Sequence, residues 1–128
     1  MSQRQRHLLI ADDEPDIRFL LKRMLDPIGY QVTEASNGEE VLDHARRSRP
    51  DLILLDLKMP VMDGFECLEK LKGDPALRAV PVVVVTAWGE LLEGEPAMAW
   101  AEACVAKPFT ADVLLRIVDE VLARPRPG

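Results

Sequence analysis

Five residues with reactive or charged side chains stand at the ends of short apolar runs. Asp12 and Asp13 follow the first run, Asp56 follows the third, Thr86 closes the fourth and Lys107 closes the fifth. Because the carboxyl ends of parallel strands lie at one edge of a sheet, we expect these side chains to meet there, where open α/β sheets bind ligands. Taken singly, each has an ordinary explanation: an aspartate can cap a helix, a threonine can end a strand and a lysine can be solvated. Their joint placement is what predicts a site.

The charges of these residues predict a cation site. Two carboxylates ~5 Å apart at an effective dielectric constant of ~20 repel each other by roughly 3 kcal/mol. Three such groups would raise one another's pKa values or bind a cation. The single ammonium of Lys107 cannot balance three carboxylates. Mg²⁺ suits the case, because it takes one or two carboxylates, keeps several waters and leaves room for a phosphate.

The apolar runs that precede these residues predict a parallel sheet. Leu52 to Leu55 form an unbroken apolar run between Pro50 and Pro60, which is typical of a strand buried on both faces. Strand and helix patterns alternate five times, and this alternation predicts an α/β fold with a doubly wound, five-stranded parallel sheet and helices on both faces. The predicted strands cover residues 7–11, 30–35, 52–55, 80–85 and 103–106.

Capping signals and apolar periodicity place the helices between the strands. Asp12 or Asp13 could cap the first helix, Pro15 suits its first turn, and Pro27 with Gly29 marks its end. The pairs with capping-box spacing are Asn37 with Glu40 and Asp63 with Glu66, and Thr110 is placed to cap the last helix. The residues expected to face the core are Ile17, Leu20, Leu21 and Met24 in the first helix, Val41, Leu42 and Ala45 in the second, Phe65, Leu68 and Leu71 in the third, and Leu114, Ile117, Val118 and Val121 in the fifth.

The length, net charge and cysteine content of the chain limit the class of protein that it can be. The 128 residues suit one domain, with 7–123 as the folded unit, 1–6 as an N-terminal tail and 124–128 as a C-terminal tail or linker stub. A formal net charge of −6 argues against direct nucleic-acid binding. Cys67 and Cys104 have no partner at metal-binding spacing, so both are expected to be small core or half-buried residues in a reducing compartment. No signal peptide and no run approaching ~20 apolar residues is visible, which favours a cytoplasmic protein without membrane insertion.

The residues above resemble a known family, the receiver domain of bacterial two-component response regulators. The matching motifs are Asp12-Asp13, Asp56 with Met59-Pro60 and Met62-Asp63-Gly64, Thr86-Ala87, and Lys107-Pro108-Phe109, and the match extends from about His7 to Leu122. The resemblance implies the flavodoxin-like strand order 2-1-3-4-5. It also implies a cis peptide bond between Lys107 and Pro108.

The resemblance implies a role for each residue of the site. Asp56 would accept a phosphoryl group from a sensor histidine kinase or a histidine phosphotransfer protein. Mg²⁺ would be held by Asp13, Asp56 and the backbone carbonyl of Lys58, with Asp12 acting directly or through water. Lys107 would pair with the phosphoryl oxygens, and Thr86 would bond to one of them after transfer.

The implied protein is a signalling domain and not an enzyme, since it would catalyse only its own phosphorylation and dephosphorylation. Phosphorylation would switch an interaction face for a downstream protein target, and the chain would be a monomer or a weak dimer. Two alternatives remain. One is a pseudo-receiver that binds partners without phosphorylation. The other is a Mg²⁺ phosphatase with an aspartyl nucleophile, but such enzymes typically need an acid two residues after the nucleophile, where this chain has Lys58.

The sequence departs from the family pattern downstream of the acceptor. Cys104 occupies the position of the family's aromatic switch residue, so either Trp88 or Trp100 replaces that residue or both are ordinary core or half-exposed side chains. Gly94 and Pro96 interrupt the predicted fourth helix within 89–100, so two short pieces or an irregular loop are expected there.

Two further side chains could tune the exchange of the phosphoryl group. Lys58 and Trp88 occupy positions that, in the family that the sequence resembles, tune the access of water to the phosphoryl group, and a bulky Trp88 would prolong the phosphorylated state. Phe19 lies opposite the buried stripe of the first helix, beside Arg18 and Arg23. It either docks the phosphodonor or is a single exposed aromatic residue without a role.

Overall fold

The computed structural model of the chain describes residues 5–87 and 99–124. Five strands form one parallel sheet in the order β2-β1-β3-β4-β5, as the family resemblance predicts. The strands are β1 (His7–Ala11), β2 (Gln31–Ala35), β3 (Leu52–Leu55), β4 (Val82–Ala87) and β5 (Ala103–Lys107). The α-helices are α1 (Pro15–Leu25), α2 (Gly38–Arg47), α3 (Gly64–Gly73) and α4 (Ala111–Ala123), and a 3₁₀ turn (Asp26–Ile28) follows α1. The helix α4 is the one that the sequence predicts as the fifth.

The sheet divides the hydrophobic core into two layers, because successive side chains of a strand point to opposite faces. In β1, Leu9 and Ala11 pack on one side with α2 and α3, whereas Leu8 and Ile10 pack on the other side with α1 and α4. The whole of β3 is buried, as its unbroken apolar run predicts. Both faces of the sheet are therefore covered, and its carboxyl edge is left as the place where polar side chains gather.

Three of the predicted helix caps are present. The side chains of Asn37, Asp63 and Thr110 accept hydrogen bonds from backbone N–H groups at the starts of α2, α3 and α4. The Glu40 carboxylate accepts from the backbone N–H of Ser36 at 2.7 Å, one residue before the position that a capping box predicts.

The prediction for α1 is partly wrong. Glu14, and not Asp12 or Asp13, occupies the N-cap position, and its side chain makes no capping hydrogen bond. Leu20, expected in the core, is 40% exposed, whereas Leu25 is fully buried. The inward face of α1 carries the buried Leu21 and Leu25, and the predicted core residues Ile17 and Met24 pack against the same core as half-buried side chains.

The fourth strand begins at Val82 rather than Val80 and continues to Ala87, so Thr86 lies inside it. Gly94 and Pro96, on which the prediction of a broken fourth helix depends, lie outside the described residues. Trp88, predicted to control the access of water or to replace the aromatic switch residue, also lies outside them. Within those residues, no helix is long and apolar enough to cross a membrane.

Candidate functional site

The backbone at the ends of β1 and β3 brings two carboxylates together. The N–H of Asp56 donates to the carbonyl of Ala11 at 3.0 Å, and the N–H of Asp12 donates to the carbonyl of Ala35 at 3.1 Å. These bonds continue the parallel pairing one residue beyond the strands. Asp12 and Asp56 consequently lie side by side, 1% and 4% exposed. They flank the crevice between β1 and β3, where the strand order of the sheet reverses.

The loop after β3 folds back closely on Asp56. The N–H of Gly64, the first residue of α3, donates to the carbonyl of Leu57 at 2.8 Å. A Cβ atom at Gly64 would overlap with the carbonyl oxygen of Asp56 and with the Cα atom of Leu57. Only glycine fits this approach, so Gly64 sets the path of the loop that carries Lys58.

Lys107, the last residue of β5, reaches into the crevice. Its ammonium lies 2.6 Å from Oδ2 of Asp12 and 3.2 Å from Oδ2 of Asp56. Burial alone would lower the pKa of Lys107, but the hydrogen bond and the charge of Asp12, together with those of Asp56, outweigh it and raise the pKa. The lysine is therefore held in its charged form.

The cation of Lys107 does not offset the whole negative charge of the site. Burial raises the pKa of Asp12, against the hydrogen bonds from Lys107 and from the N–H of Glu14, and the charge of Asp56 raises it further. Carboxylate oxygens of Asp12, Asp13 and Asp56 all lie within 4.8 Å of one another, and Asp13 is exposed. Three clustered oxygen donors fit a hard divalent cation such as Mg²⁺.

Asp56 accepts hydrogen bonds at both of its oxygens. Oδ1 accepts from the hydroxyl of Thr86 at 3.1 Å and from the backbone N–H of Lys58 at 3.2 Å, and Oδ2 accepts from Lys107. The Thr86 side chain is fully buried next to it. These donors fix the orientation of the carboxylate while one face of the site opens to solvent.

The opening is a cleft of about 230 Å³ lined by Asp13, Glu14, Asp56, Lys58, Thr86, Ala87 and Lys107. Five of the six residues that the sequence predicts for the site line this cleft, and the sixth, the buried Asp12, contacts the lining residue Lys107 at 2.6 Å. Sequence reasoning missed Glu14, and it named Gly64 only as part of the motif that carries the family resemblance. Glu14 had a signal, since it continues the acidic run Asp12-Asp13, whereas the role of Gly64 depends on a contact that spacing does not reveal.

The fold and the site define a doubly wound α/β domain with an acidic, lysine-paired cleft at the carboxyl edge of its sheet. The family described as "Response regulator receiver domain" matches residues 8–119 of the chain. The chain therefore belongs to the receiver domain family of two-component response regulators.

Relatives of similar length support this assignment. Sporulation initiation phosphotransferase F of Bacillus subtilis is 41% identical over 117 residues, which are 90% of this chain and 92% of that protein. Protein PilH of Pseudomonas aeruginosa is 34% identical over 91% of this chain and 97% of its own length. Other relatives are longer: the chain spans 50% of the probable transcriptional regulator ycf27 of Porphyra purpurea, at 36% identity over 97% of this chain.

Solved receiver structures have the same fold. The receiver domain of the sensor histidine kinase PA1611 of Pseudomonas aeruginosa is 28% identical with a TM-score of 0.85, covering 94% of this chain and 100% of that one. That structure has a magnesium ion coordinated in its active-site cleft. Chemotaxis protein CheY4 of Vibrio cholerae is 29% identical with a TM-score of 0.84, covering 92% of this chain and 99% of that one.

The three α1 residues predicted to form a docking surface, Phe19, Arg18 and Arg23, do not all point to solvent. Phe19 is 61% exposed, and the guanidinium of Arg23 lies 5.6 Å from its ring centroid. Arg18 instead turns inward, to the Glu34 carboxylate at 3.1 Å and the Asp12 carbonyl at 2.6 Å. The docking role of Phe19 stays a prediction.

The two cysteines differ in burial, and Trp100 is the tryptophan that lies within the described residues. Cys67 is buried, but Cys104 is exposed, so the expectation that both are core or half-buried residues is wrong for Cys104. Residue Trp100 is 44% exposed. The cis peptide bond between Lys107 and Pro108 is present.

Proposed function

We propose that this receiver domain accepts a phosphoryl group on Asp56 from a phosphohistidine of a sensor kinase or a phosphotransfer protein. The observation that carries the proposal is the environment of the Asp56 carboxylate. It is buried at the switch point of the sheet, its oxygens are oriented by Thr86 and Lys107, and it faces an open cleft. Carboxylates so placed act as nucleophiles toward phosphorus.

The transfer needs little from the protein beyond position and charge. An oxygen of Asp56 forms a bond to phosphorus, the bond from phosphorus to the donor's imidazole nitrogen breaks, and that nitrogen keeps the electron pair. Lys107 offsets the charge on the phosphoryl oxygens. The Thr86 hydroxyl, which donates to Asp56 before transfer, is placed to donate to a phosphoryl oxygen afterwards.

The acidic cluster supports a role for Mg²⁺ in this reaction. Asp12, Asp13, Asp56 and the backbone carbonyl of Lys58 would hold the ion. When bound, it would offset the negative charge that builds up on the transferring group. No residue of the cleft is placed as a second catalytic acid two positions after Asp56, since Lys58 stands there, so the domain would act on itself and not on external substrates.

The structural change that follows phosphorylation of Asp56 would extend to the neighbouring strands. Thr86 and Lys107 lie on β4 and β5, whose residues pair directly, Ala87 with Lys107. A phosphoryl group adds charge and acceptor oxygens at this edge and would shift Thr86 toward it. The face around β4 and β5 would then bind a downstream protein, with the domain acting as a cytoplasmic monomer or weak dimer.

The test is phosphorylation by a small donor. The protein is incubated with phosphoramidate and Mg²⁺, and intact mass and peptide mapping follow the modification. We expect one phosphoryl group on Asp56, none in Asp56→Asn, and none when EDTA removes the metal. Asp43→Asn is the matched control, because Asp43 is an exposed aspartate paired with Arg47 on α2.

Two results would contradict the proposal. A wild-type protein that stays unmodified while Mg²⁺ and donor are in excess would favour a pseudo-receiver that works without phosphorylation. A modification that persists in Asp56→Asn would place the acceptor elsewhere in the chain.

A further inference from the structure

Glu14 stands on the rim of the cleft and carries a charge that the proposed transfer does not use. Its side chain is 64% exposed, and its Oε1 lies 3.9 Å from the ammonium of Lys107. It lines the cleft between Asp13 and the start of α1. A phosphoryl donor that approaches Asp56 through this opening passes the Glu14 carboxylate.

The backbone of Glu14 is fixed by the site itself. Its N–H donates to Oδ1 of Asp12 at 2.9 Å. Its carbonyl accepts from the N–H groups of Ile17 at 3.1 Å and Arg18 at 3.2 Å, which start α1. The side chain therefore begins from a defined point at the edge of the acceptor site and is not carried on a free loop.

The charge of Glu14 is only partly offset. Lys107 is shared with Asp12 at 2.6 Å and Asp56 at 3.2 Å, so Glu14 at 3.9 Å is the most distant of three carboxylates around one ammonium. Its exposed carboxylate adds negative potential at the mouth of the cleft, where a donor's own charges arrive.

We propose that Glu14 makes the site discriminate among phosphoryl donors by their charge, disfavouring acyl phosphates relative to N-phosphoryl donors. The inference rests on the proposed function. Acetyl phosphate is close to a dianion at neutral pH, whereas phosphoramidate, whose nitrogen is protonated, has about one negative charge fewer. In both reactions an Asp56 oxygen bonds to phosphorus. The P–O bond breaks with acetyl phosphate and acetate leaves, whereas the P–N bond breaks with phosphoramidate and ammonia leaves.

The expected size of the effect follows from Coulomb's law. One extra unit charge about 6 Å from Glu14 in water changes a rate constant about threefold. Because the carboxylate is exposed, salt should screen this factor strongly. A protonated phosphohistidine on a partner protein belongs with the less anionic donors and would be favoured in the same way.

The experiment compares wild type, Glu14→Gln and Glu39→Gln. Rate constants for modification of Asp56 are measured by intact mass with acetyl phosphate and with phosphoramidate, at one Mg²⁺ concentration that saturates all three proteins. Glu39 is the matched control, since it is an exposed glutamate in the first turn of α2 and does not line the cleft. The readout is the ratio of the two rate constants, in which changes in metal affinity or folding largely cancel.

We expect Glu14→Gln to raise the acetyl phosphate to phosphoramidate ratio about threefold at about 0.05 M salt, and the gain to shrink toward one at about 0.5 M. Glu39→Gln should keep the wild-type ratio. If Glu14→Gln changes both rate constants by the same factor, or if Glu39→Gln shifts the ratio equally, Glu14 has no part in donor choice. These outcomes leave the acceptor role of Asp56 intact, which fails separately if neither donor modifies it.

Discussion

At the scale of single residues, the two cysteines differ in what they can do. Cys67 on α3 is fully buried, and burial raises the pKa of its thiol to about 12. Cys104 on β5 is exposed, and partial desolvation raises its pKa as well. Because the thiolate is the reactive form, a thiol needs both access and ionisation to react. The native protein should therefore offer one slowly reacting cysteine.

We predict that iodoacetamide at pH 8 labels Cys104 alone in the native protein and both cysteines after unfolding. Peptide mass mapping identifies the labelled site. Cys104→Ser should abolish native labelling, and Cys67→Ser should leave its rate unchanged. Native labelling of Cys67 at the rate of Cys104 would show that α3 does not cover it as described.

The residues of the site were predictable for a physical reason. Asp56, Thr86 and Lys107 each interrupt or end an apolar run, and parallel strands bring such ends to one edge. Glu14 was not predicted as a cleft residue, because the N-cap of α1 falls on it rather than on Asp12 or Asp13. Its distance from Lys107 depends on how the helix starts, which residue type alone does not specify.

At the scale of elements, the first residue of α3, Gly64, lies so close to the backbone of Asp56 and Leu57 that no Cβ atom fits between them. Gly64→Ala would place a Cβ atom against the backbone of Asp56 and Leu57, which cannot yield as a flexible side chain can. Such overpacking typically costs 1 to 3 kcal/mol, so we expect the free energy of unfolding to fall by about 2 kcal/mol. Urea denaturation measures the change.

Gly73 at the other end of α3 supplies the control. A Cβ atom there meets nothing within 4 Å. Alanine favours a helix over glycine by up to about 1 kcal/mol, so Gly73→Ala should be neutral or slightly stabilising. If Gly64→Ala and Gly73→Ala lower the free energy of unfolding equally, the loss comes from replacing glycine in this helix and not from the close approach of Gly64 to Asp56.

The orientation of α1 shows where pattern reasoning ends. Its apolar residues surround more than half of the helix, so a periodicity of 3.6 allows several inward faces. The structure buries Leu21 and Leu25 and leaves Phe19 and Leu20 exposed. The choice is made by tertiary contacts with β1, β2 and α4, of which α4 is distant in sequence. The existence of the helix was therefore predictable from its sequence, whereas its rotation was not.

At the scale of the whole molecule, the sheet has a second polar edge opposite the cleft. Nε2 of His7 lies 2.8 Å from the hydroxyl of Thr33, and the His7 backbone N–H donates to Oδ2 of Asp51 at 2.8 Å. Burial lowers the pKa of His7 below its usual value of 6.5; the charge of Asp51 opposes the shift and that of His44 adds to it. The folded state therefore favours neutral His7.

A pH dependence of stability follows. Since the folded pKa lies below the unfolded one, the contribution of His7 is fully present above pH 6.5 and is lost as pH falls through the lower, folded pKa. We predict that the free energy of unfolding, measured in urea from pH 7.5 to 5, falls more steeply in wild type than in His7→Gln.

His44→Gln is the control for this prediction, since His44 lies on α2 and is also half-buried. The charge of His44 is the smallest of the three causes that act on the pKa of His7, so His44→Gln should retain most of the wild-type slope. If His7→Gln and wild type have equal slopes, protonation of His7 does not oppose folding. Other titrating groups, Asp12 among them, are common to all three proteins, so the comparison of slopes isolates His7.

The two-sided core was predictable at this scale, because fully apolar strands such as β3 are compatible only with a sheet covered on both faces. The strand order was predicted from the family resemblance and not from the strand patterns. Register was not predictable. The pairing of Ala87 with Lys107, which brings β5 into the site, follows from packing along the entire β4–β5 contact. One residue of slippage would turn Lys107 to the other face of the sheet.

The ion pairs between Lys107 and the two aspartates, Asp12 and Asp56, join residues that are synthesised at different times. The lysine comes 95 residues after Asp12 and 51 residues after Asp56. At about 5 to 20 residues per second, a ribosome adds Asp56 about 3 to 10 seconds before it adds Lys107, which offsets part of the charge of the site. A nascent or prematurely terminated chain that ends before β5 carries the aspartate without this partner. Completion of β5 therefore coincides with completion of the set of site residues, so a chain must be synthesised at least as far as Lys107 to have all of them.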